Sequence, residues 1–202
     1  MGLPRVTRWR LSYLPARLSH SEIERLLARQ ERRTEAGKRD YALIMIFARL
    51  GLRTGEAGRL TLEEVHWRGE ALRILGKGGT ECLLPLVPEV AESLADYLQV
   101  RPRGISRHIF LTVRAPRRPL GNGGIATVVR RALREADLRP HGGPHLLRHS
   151  LASELLHCGA SLFEVGQVLR HRHPASTEIY AKVHVEALGE LALPWPSRAG
   201  EV

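Results

Sequence analysis

Aspartate and cysteine are scarce in this chain of 202 residues. The aspartates, Asp40, Asp96 and Asp137, stand far apart, so the sequence lacks the clustered carboxylates that a two-metal nuclease needs. The cysteines, Cys82 and Cys158, are also widely separated and lie in apolar surroundings. This pattern predicts free, buried thiols and neither a disulfide nor a metal site.

Long apolar runs are absent as well. No run is long enough to span a bilayer, and the basic start MGLPRVTRWRL lacks the apolar middle of a signal peptide. We therefore expect a cytoplasmic protein, in a prokaryote, with no membrane partner. The length and the 43% of hydrophobic residues suffice for one core, which predicts a single domain.

Lysine occurs only at Lys38, Lys77 and Lys182, whereas arginine supplies the other 31 − 3 = 28 basic side chains. The formal net charge of +10 and the isoelectric point of about 10.7 predict a polyanionic partner. Nucleic acid is the first candidate.

The hydrophobic pattern predicts a mainly α domain with a small antiparallel β-sheet, of the α+β class. Residues 1–18 form a lead-in arm, and Ser19 with Glu22 is a capping box that begins the first helix. The polar segment ERRTEAGKRD is expected to be a loop, and YALIMIFARLGL a central helix that buries Tyr41 and closes at Gly51. A hairpin is expected in ALRILGKGGTECLLPL, helices in PEVAESLADYLQV and GIATVVRRALREADL, and a short strand in HIFLTV.

Residues 144–180 concentrate the candidate functional side chains. Pro144 is suited to the first position of a helix that places His145 and Arg148 on one face. Gly159 ends that helix, and the capping box of Ser161 and Glu164 begins the next. The side chains expected to point inward from this next helix are Phe163, Val165, Val168 and Leu169. His171 follows its end, and Tyr180 falls in a short last helix.

Three sequence motifs resemble those of the tyrosine recombinase (phage integrase) family. The first is HLLRH, which begins at His145, and the second is LRHRHP, in which His171 is followed nine residues later by Tyr180. The third is GLR, which ends at Arg53 and is followed by Glu56. Lys77, in the turn of the hairpin, matches the family's lysine. The resemblance implies a catalytic set of Arg53, Lys77, His145, Arg148, His171 and the nucleophile Tyr180, supported by Glu56 and His149. It covers residues 19–190 as a catalytic domain, with 191–202 as a tail.

The resemblance also implies a reaction. Arginine and histidine donors meet the phosphodiester oxygens, Tyr180 attacks phosphorus with His145 as a possible base, and Lys77 protonates the departing 5′ oxygen. The product is a 3′-phosphotyrosine, so strands can be rejoined without a cofactor or a metal, in integration, excision or inversion. The partner is double-stranded DNA, with a homotetramer assembled on it and a monomer as the possible free form. The chain resembles short members without the N-terminal core-binding domain, whose place an accessory DNA-binding protein could take.

Other functions remain open for the same residues. Type IB topoisomerases share the motif set and relax DNA, and a catalytically impaired member would serve only as a DNA-binding or accessory protein. His145 and His149 are four apart, as zinc ligands in a helix often are, but leucine replaces the glutamate of an HExxH motif. By itself, Arg53 could cap helix carbonyl groups, and Lys77 could be a solvated charge at a hairpin tip.

Further arginines are candidates for contacts with DNA phosphates, although such runs are often only solvated faces. They are Arg117, Arg118, Arg130, Arg131, Arg134 and Arg170. Arg170 stands where family members usually have glycine. If its φ angle is positive, arginine strains the backbone there; alternatively, it adds a phosphate contact.

Overall fold

The computed structural model describes residues 16–76, 81–138 and 142–170. The helices in these ranges are α1 (His20–Ala28), α2 (Glu35–Leu50), α3 (Thr54–Arg59), α4 (Pro88–Val100), α5 (Asn122–Glu135), α6 (Pro144–His157) and α7 (Leu162–Val168). The strands are β1 (Val65–His66), β2 (Ala71–Leu75) and β3 (Glu81–Pro85), and a 3₁₀ turn spans Leu62–Glu64. The mainly α class with a small antiparallel sheet is confirmed.

Both predicted capping boxes are present. The Ser19 hydroxyl accepts a hydrogen bond from the Glu22 amide, while the Glu22 carboxylate accepts one from the Ser19 amide at 2.8 Å. Ser161 and Glu164 make the same reciprocal pair at the start of α7, with the Ser161 amide 2.7 Å from the carboxylate. These bonds satisfy amide groups that have no partner inside the first helical turn.

Helix α2 begins earlier than the sequence pattern predicted. The segment ERRTEAGKRD was expected to be a loop, but Thr34 accepts a hydrogen bond from the Gly37 amide and starts the helix at Glu35. The helix ends as predicted, at Gly51 with φ 56°. Tyr41 is partly buried and packs against the edge of the core, so the prediction of a buried core residue holds only in part. The Arg32 guanidinium covers its ring at 4.6 Å from the centroid.

The sheet has the order β1-β2-β3, antiparallel throughout. Leu72, Ile74 and Leu84 point into the core at alternating positions, which is the period of a half-buried strand. The predicted hairpin of β2 and β3 is confirmed, and the pairing of Leu75 with Glu81 is the last before its turn.

The predicted strand HIFLTV is absent from the sheet; this segment makes only the isolated bridges Thr61–His108 and Leu111–Pro119. Two of its backbone carbonyls are bound by a side chain instead of a neighbouring strand. The buried guanidinium of Arg101 donates to the carbonyl oxygens of Ile109 at 2.9 Å and His108 at 2.6 Å. Because a side chain takes these acceptors, no neighbouring strand is needed to satisfy them.

Helix α2 is the centre of the core, and it packs against α4 and α6. All of its side chains from Ala42 to Phe47 are buried, as expected for a helix segment that is apolar all round. Tyr97 of α4 is fully buried and stacks on Phe110 with 5.9 Å between the ring centroids. None of the helices in the described ranges is long and apolar enough to cross a membrane.

Helix α7 turns only a narrow stripe toward α6. Val165 and Leu169 are buried with Leu156, whereas Phe163 is 74% exposed and Val168 40% exposed. The prediction that Phe163 and Val168 point inward was therefore wrong, because a helix of two turns buries only residues four apart against one neighbour. The prediction of two buried thiols was also wrong: Cys82 is half-buried and Cys158 is exposed.

Candidate active site

Arg53 lies between the left-handed Gly51 and the first turn of α3, where its backbone is extended. Its side chain is 38% exposed and has two anchors. One guanidinium nitrogen donates to Glu56 Oε1 at 2.9 Å, and the other donates to the backbone carbonyl of Arg170 at 2.8 Å. The guanidinium is thus oriented by the protein while part of it still faces solvent.

Arg148 approaches the same region from the first half of α6. It is only 5% exposed, and its guanidinium donates to the carbonyl oxygens of Gly51 and Leu169. Arg53 and Arg148 therefore bind consecutive carbonyls at the end of α7, those of Arg170 and Leu169. Two arginines that are 95 positions apart in sequence (148 − 53) meet at the residues just before position 171.

Gly51 allows this approach. Its φ of +56° is a conformation that side-chain-bearing residues rarely adopt, and an added Cβ would lie 2.8 Å from Leu169 Cδ2. The close packing of Gly51 against α7 brings its carbonyl within reach of Arg148. Every residue has a backbone carbonyl, so the sequence does not indicate which carbonyls bind Arg148, and this part of the site was not predicted. Gly51, which ends α2 in a left-handed conformation, was the only sequence signal for it.

Glu56 is the anionic member of the cluster and is 5% exposed. Burial alone would raise the pKa of its carboxyl group, but the charge of Arg170 and hydrogen bonds from Arg53 outweigh burial and hold the pKa below its ordinary value. Its Oε2 accepts the Arg53 amide at 2.8 Å and the Arg170 guanidinium at 3.0 Å. Glu56 is therefore ionised and shared between two arginines.

Arg170 has a φ of 56°, so arginine does occupy a left-handed position there. Its side chain turns inward to Glu56, and only about 10% of it is exposed. This arrangement differs from the phosphate contact predicted for Arg170, because a phosphate on the surface would reach little of the guanidinium.

The histidines of α6 differ in their surroundings. His145 is exposed in the first helical turn, whereas Arg148, on the same face by spacing, is buried. His149 is half-buried; its pKa is lowered by burial, and by the neighbouring His145 and Arg148. His149 is thus held neutral at pH 7, as suits a packed side chain beside a cationic site.

Lys77, His171 and Tyr180 lie outside the described residues. The segments next to two of them are described: β2 ends two residues before Lys77, and Arg170 directly precedes His171. Among the described ranges, no group of three or more histidine, cysteine, aspartate or glutamate side chains could hold a metal ion.

The arginines predicted to contact DNA fall into two sets. Arg118, Arg130 and Arg134 are exposed. Arg117 donates from both terminal nitrogens to Glu35, and Arg131, although its side chain is 47% exposed, pairs with the buried Asp40. Each ion pair reduces the charge available to a phosphate, a distinction that the sequence does not reveal.

The fold and the arginine pair define a class. The described helices and sheet match solved tyrosine recombinase catalytic domains. XerA recombinase has a TM-score of 0.74 and 25% identity, over 89% of this chain and 65% of that one. XerH site-specific recombinase, bound to its palindromic difH substrate in a post-cleavage complex, has a TM-score of 0.75 and 25% identity, over 92% of this chain and 54% of that one.

Residues 16–187 match the phage integrase family, and the chain belongs to that family. It is similar to two putative integrase/recombinases of Sinorhizobium fredii (strain NBRC 101917 / NGR234). Identity to y4rA is 46% over 98% of this chain and 49% of that protein, and identity to y4gC is 38% over 91% of this chain and 97% of that protein. The tyrosine recombinase XerD of Xanthomonas campestris pv. campestris is 35% identical over 87% of this chain and 58% of that protein. The chain thus spans about half of y4rA but nearly all of y4gC.

Proposed function

We propose that the chain is a site-specific DNA recombinase that cleaves and rejoins strands through a 3′-phosphotyrosine intermediate without a metal ion. The convergence of Arg53 and Arg148 on the end of α7 is the observation that carries the proposal. Arg53, with a side chain that is 38% exposed, can donate to the non-bridging oxygens of one phosphodiester, while the buried Arg148 adds its positive charge from behind the same region. His145, exposed nearby in sequence on α6, and His171 add donors to the same anion.

The reaction follows from these groups. The Tyr180 phenol has an ordinary pKa of about 10, so it needs the cationic surroundings, or His145 as a base, to attack as a phenolate. The Tyr180 oxygen forms a bond to phosphorus, the bond from phosphorus to the 5′ oxygen breaks, and Lys77 gives a proton to that oxygen. Attack by a 5′ hydroxyl on the phosphotyrosine reverses the step. Because one phosphoester bond forms for each one that breaks, the strand is rejoined without an external energy source.

The proposal extends to domain and partners. Residues 19–190 would form the catalytic domain, preceded by an arm and followed by a tail. The substrate would be double-stranded DNA in the prokaryotic cytoplasm, held by a homotetramer, with a possible accessory protein. Arg118, Arg130 and Arg134, exposed on this chain, are the described candidates for phosphate contacts.

A covalent-capture experiment tests the proposal. The protein is incubated in EDTA with a library of nicked duplexes that carry a randomised segment, and SDS-resistant protein–DNA complexes are isolated and sequenced. The nick lets the short fragment that carries the freed 5′ hydroxyl diffuse away, so rejoining is blocked and the adduct accumulates. We expect a selected sequence and a protein peptide with DNA attached at Tyr180.

The controls separate the candidate functions. Tyr180→Phe is expected to abolish the adduct, whereas Tyr41→Phe, at a half-buried tyrosine on α2, is expected to retain it. Failure of the parent chain to form any adduct while it still binds DNA would refute the proposal and favour an accessory DNA-binding role. Adducts with no sequence preference, together with relaxation of supercoiled plasmid, would favour the topoisomerase function instead.

A further inference from the structure

Three side chains form a closed ionic cluster behind the candidate site. Glu56 lies between Arg53 and Arg170, with Oε1 2.9 Å from the first guanidinium and Oε2 3.0 Å from the second. The side chain of Glu56 is 4% exposed and that of Arg170 10% exposed, whereas that of Arg53 is 38% exposed. Arg53 is therefore the member that faces solvent, and the other two lie behind it.

The backbone ties Arg170 to Arg53 a second time. The Arg53 guanidinium donates to the Arg170 carbonyl at 2.8 Å, while the Arg170 guanidinium donates to the Val168 carbonyl at 2.9 Å. Arg170 also reaches the Gly51 carbonyl at 3.3 Å, which Arg148 binds as well. Arg148 thus shares an acceptor with Arg170, and Arg53 donates to the backbone carbonyl of Arg170.

The net charge of the cluster determines how much positive charge Arg53 can offer to a phosphate. With only Glu56 and Arg53 present, a buried carboxylate would cancel most of the charge that Arg53 can offer to a phosphate. The second arginine raises the net charge of the cluster from zero to +1, and it does so from a buried position where screening by solvent is weak. Glu56 can then orient Arg53 without neutralising it.

The backbone at Arg170 strengthens the argument. A φ of 56° is unfavourable for arginine and free of strain for glycine. Strained conformations persist where the surroundings hold them in place, and here the ion pair to Glu56 does so.

We propose that Arg170 is a positioning residue that balances the charge of Glu56, so that Arg53 stays oriented and keeps its full positive charge for the scissile phosphate. The inference rests on the proposed function, and it assigns Arg170 to the interior of the site instead of the DNA surface. The lowered pKa of Glu56 agrees with it, since the charge of Arg170 is the main cause that opposes burial.

Four variants test the inference with the duplex selected by covalent capture: Arg170→Gly, Arg170→Lys, Glu56→Gln and the double substitution Glu56→Gln with Arg170→Gly. Glycine suits the backbone at this position, so loss of folding is not the expected result of Arg170→Gly. We expect Arg170→Gly to slow single-turnover adduct formation roughly 10- to 100-fold, because a displaced donor costs rate more than binding. Arg170→Lys should recover part of the rate.

The double substitution decides between the two roles of Arg170. If Arg170 acts through Glu56, its removal has a much smaller effect in the Glu56→Gln background, where there is no carboxylate charge to balance. If Arg170 contacts a phosphate, the two effects multiply, and the slope of log affinity against log salt falls by about one in Arg170→Gly. The latter result would overturn the inference.

A measurement without DNA completes the test. The Glu56 carboxyl can be titrated by ¹³C NMR, and its pKa should rise in Arg170→Gly relative to the parent chain. An unchanged pKa would show that the pair does not form and would overturn the inference. If the parent chain forms no adduct, the proposed function fails; if it does and Arg170→Gly reacts at the parent rate, only the inference fails.

Discussion

Replacement of Gly51 by alanine is the sharpest test of how the site is built. The added Cβ would lie 2.8 Å from Leu169 Cδ2 and 2.9 Å from Leu151 Cδ2, and the backbone has a φ of +56°. A left-handed conformation costs an L-residue about 1–2 kcal/mol. Overpacking against two side chains typically adds about 1–3 kcal/mol. We expect Gly51→Ala to lower the free energy of unfolding by about 2–5 kcal/mol in total.

Gly104→Ala is the matched control. Gly104 also has a positive φ, +74°, but an added Cβ would meet nothing within 4 Å. Its substitution should therefore cost only the backbone term of about 1–2 kcal/mol. Both alanines reduce the freedom of the unfolded chain by a similar amount, so this contribution cancels in the comparison.

Equilibrium urea unfolding, followed by circular dichroism, measures both variants. The midpoint of Gly51→Ala should fall below that of Gly104→Ala by the equivalent of about 1–3 kcal/mol, with similar slopes. In the capture assay, Gly51→Ala should also slow adduct formation, because Arg148 anchors to the Gly51 carbonyl. Equal stability of the two variants would refute the packing argument that joins Gly51 to α7.

Three further predictions concern charged side chains. The pKa of Glu56 is lowered by folding, so its ionised form stabilises the folded chain fully above the unfolded pKa of about 4.3, and this stabilisation is lost as pH falls through the folded pKa. In urea titrations, the difference in unfolding free energy between the parent chain and Glu56→Gln should therefore shrink as the pH falls below about 4.3. Asp40→Ala should lower the unfolding free energy by about 3–5 kcal/mol, because it leaves the buried guanidinium of Arg39 without the carboxylate 2.6 Å away. A melting temperature that falls no more than for a surface substitution would contradict this. Arg118→Ala should reduce the slope of log affinity for DNA against log salt by roughly one, because Arg118 is exposed. Arg117→Ala, which breaks an ion pair with Glu35, should change this slope less. Equal slopes for the two variants, measured by fluorescence anisotropy, would contradict the distinction between paired and exposed arginines.

The position of Asp40 shows how a tertiary contact changes the meaning of a residue. Burial raises the pKa of this carboxyl group, while Arg39 and Arg131 oppose that effect. A lone aspartate before the apolar run of α2 was evidence against a metal site in the sequence. In the folded chain it is a buried partner that draws Arg131, a predicted DNA contact, into an ion pair.

The amino-acid sequence by itself determined the features that depend on neighbours three or four positions away. The capping boxes at Ser19 and Ser161 and the left-handed end of α2 at Gly51 were predictable, because their hydrogen bonds close within one turn of chain. The hairpin was predictable because its two apolar segments flank a short glycine-rich turn. The family motifs were readable for the same reason: each is a short string.

Only the tertiary structure decided which side chains meet across the fold. Whether Phe163 is buried, and whether Arg170 faces DNA or Glu56, depends on how α7 packs against α6 and the Gly51 turn. The contacts of Arg170 join residues more than a hundred positions apart, as in its hydrogen bond with Arg53. Periodicity gives the face of a helix but not the partner that covers it, and so the cluster behind Arg53 became visible only in three dimensions.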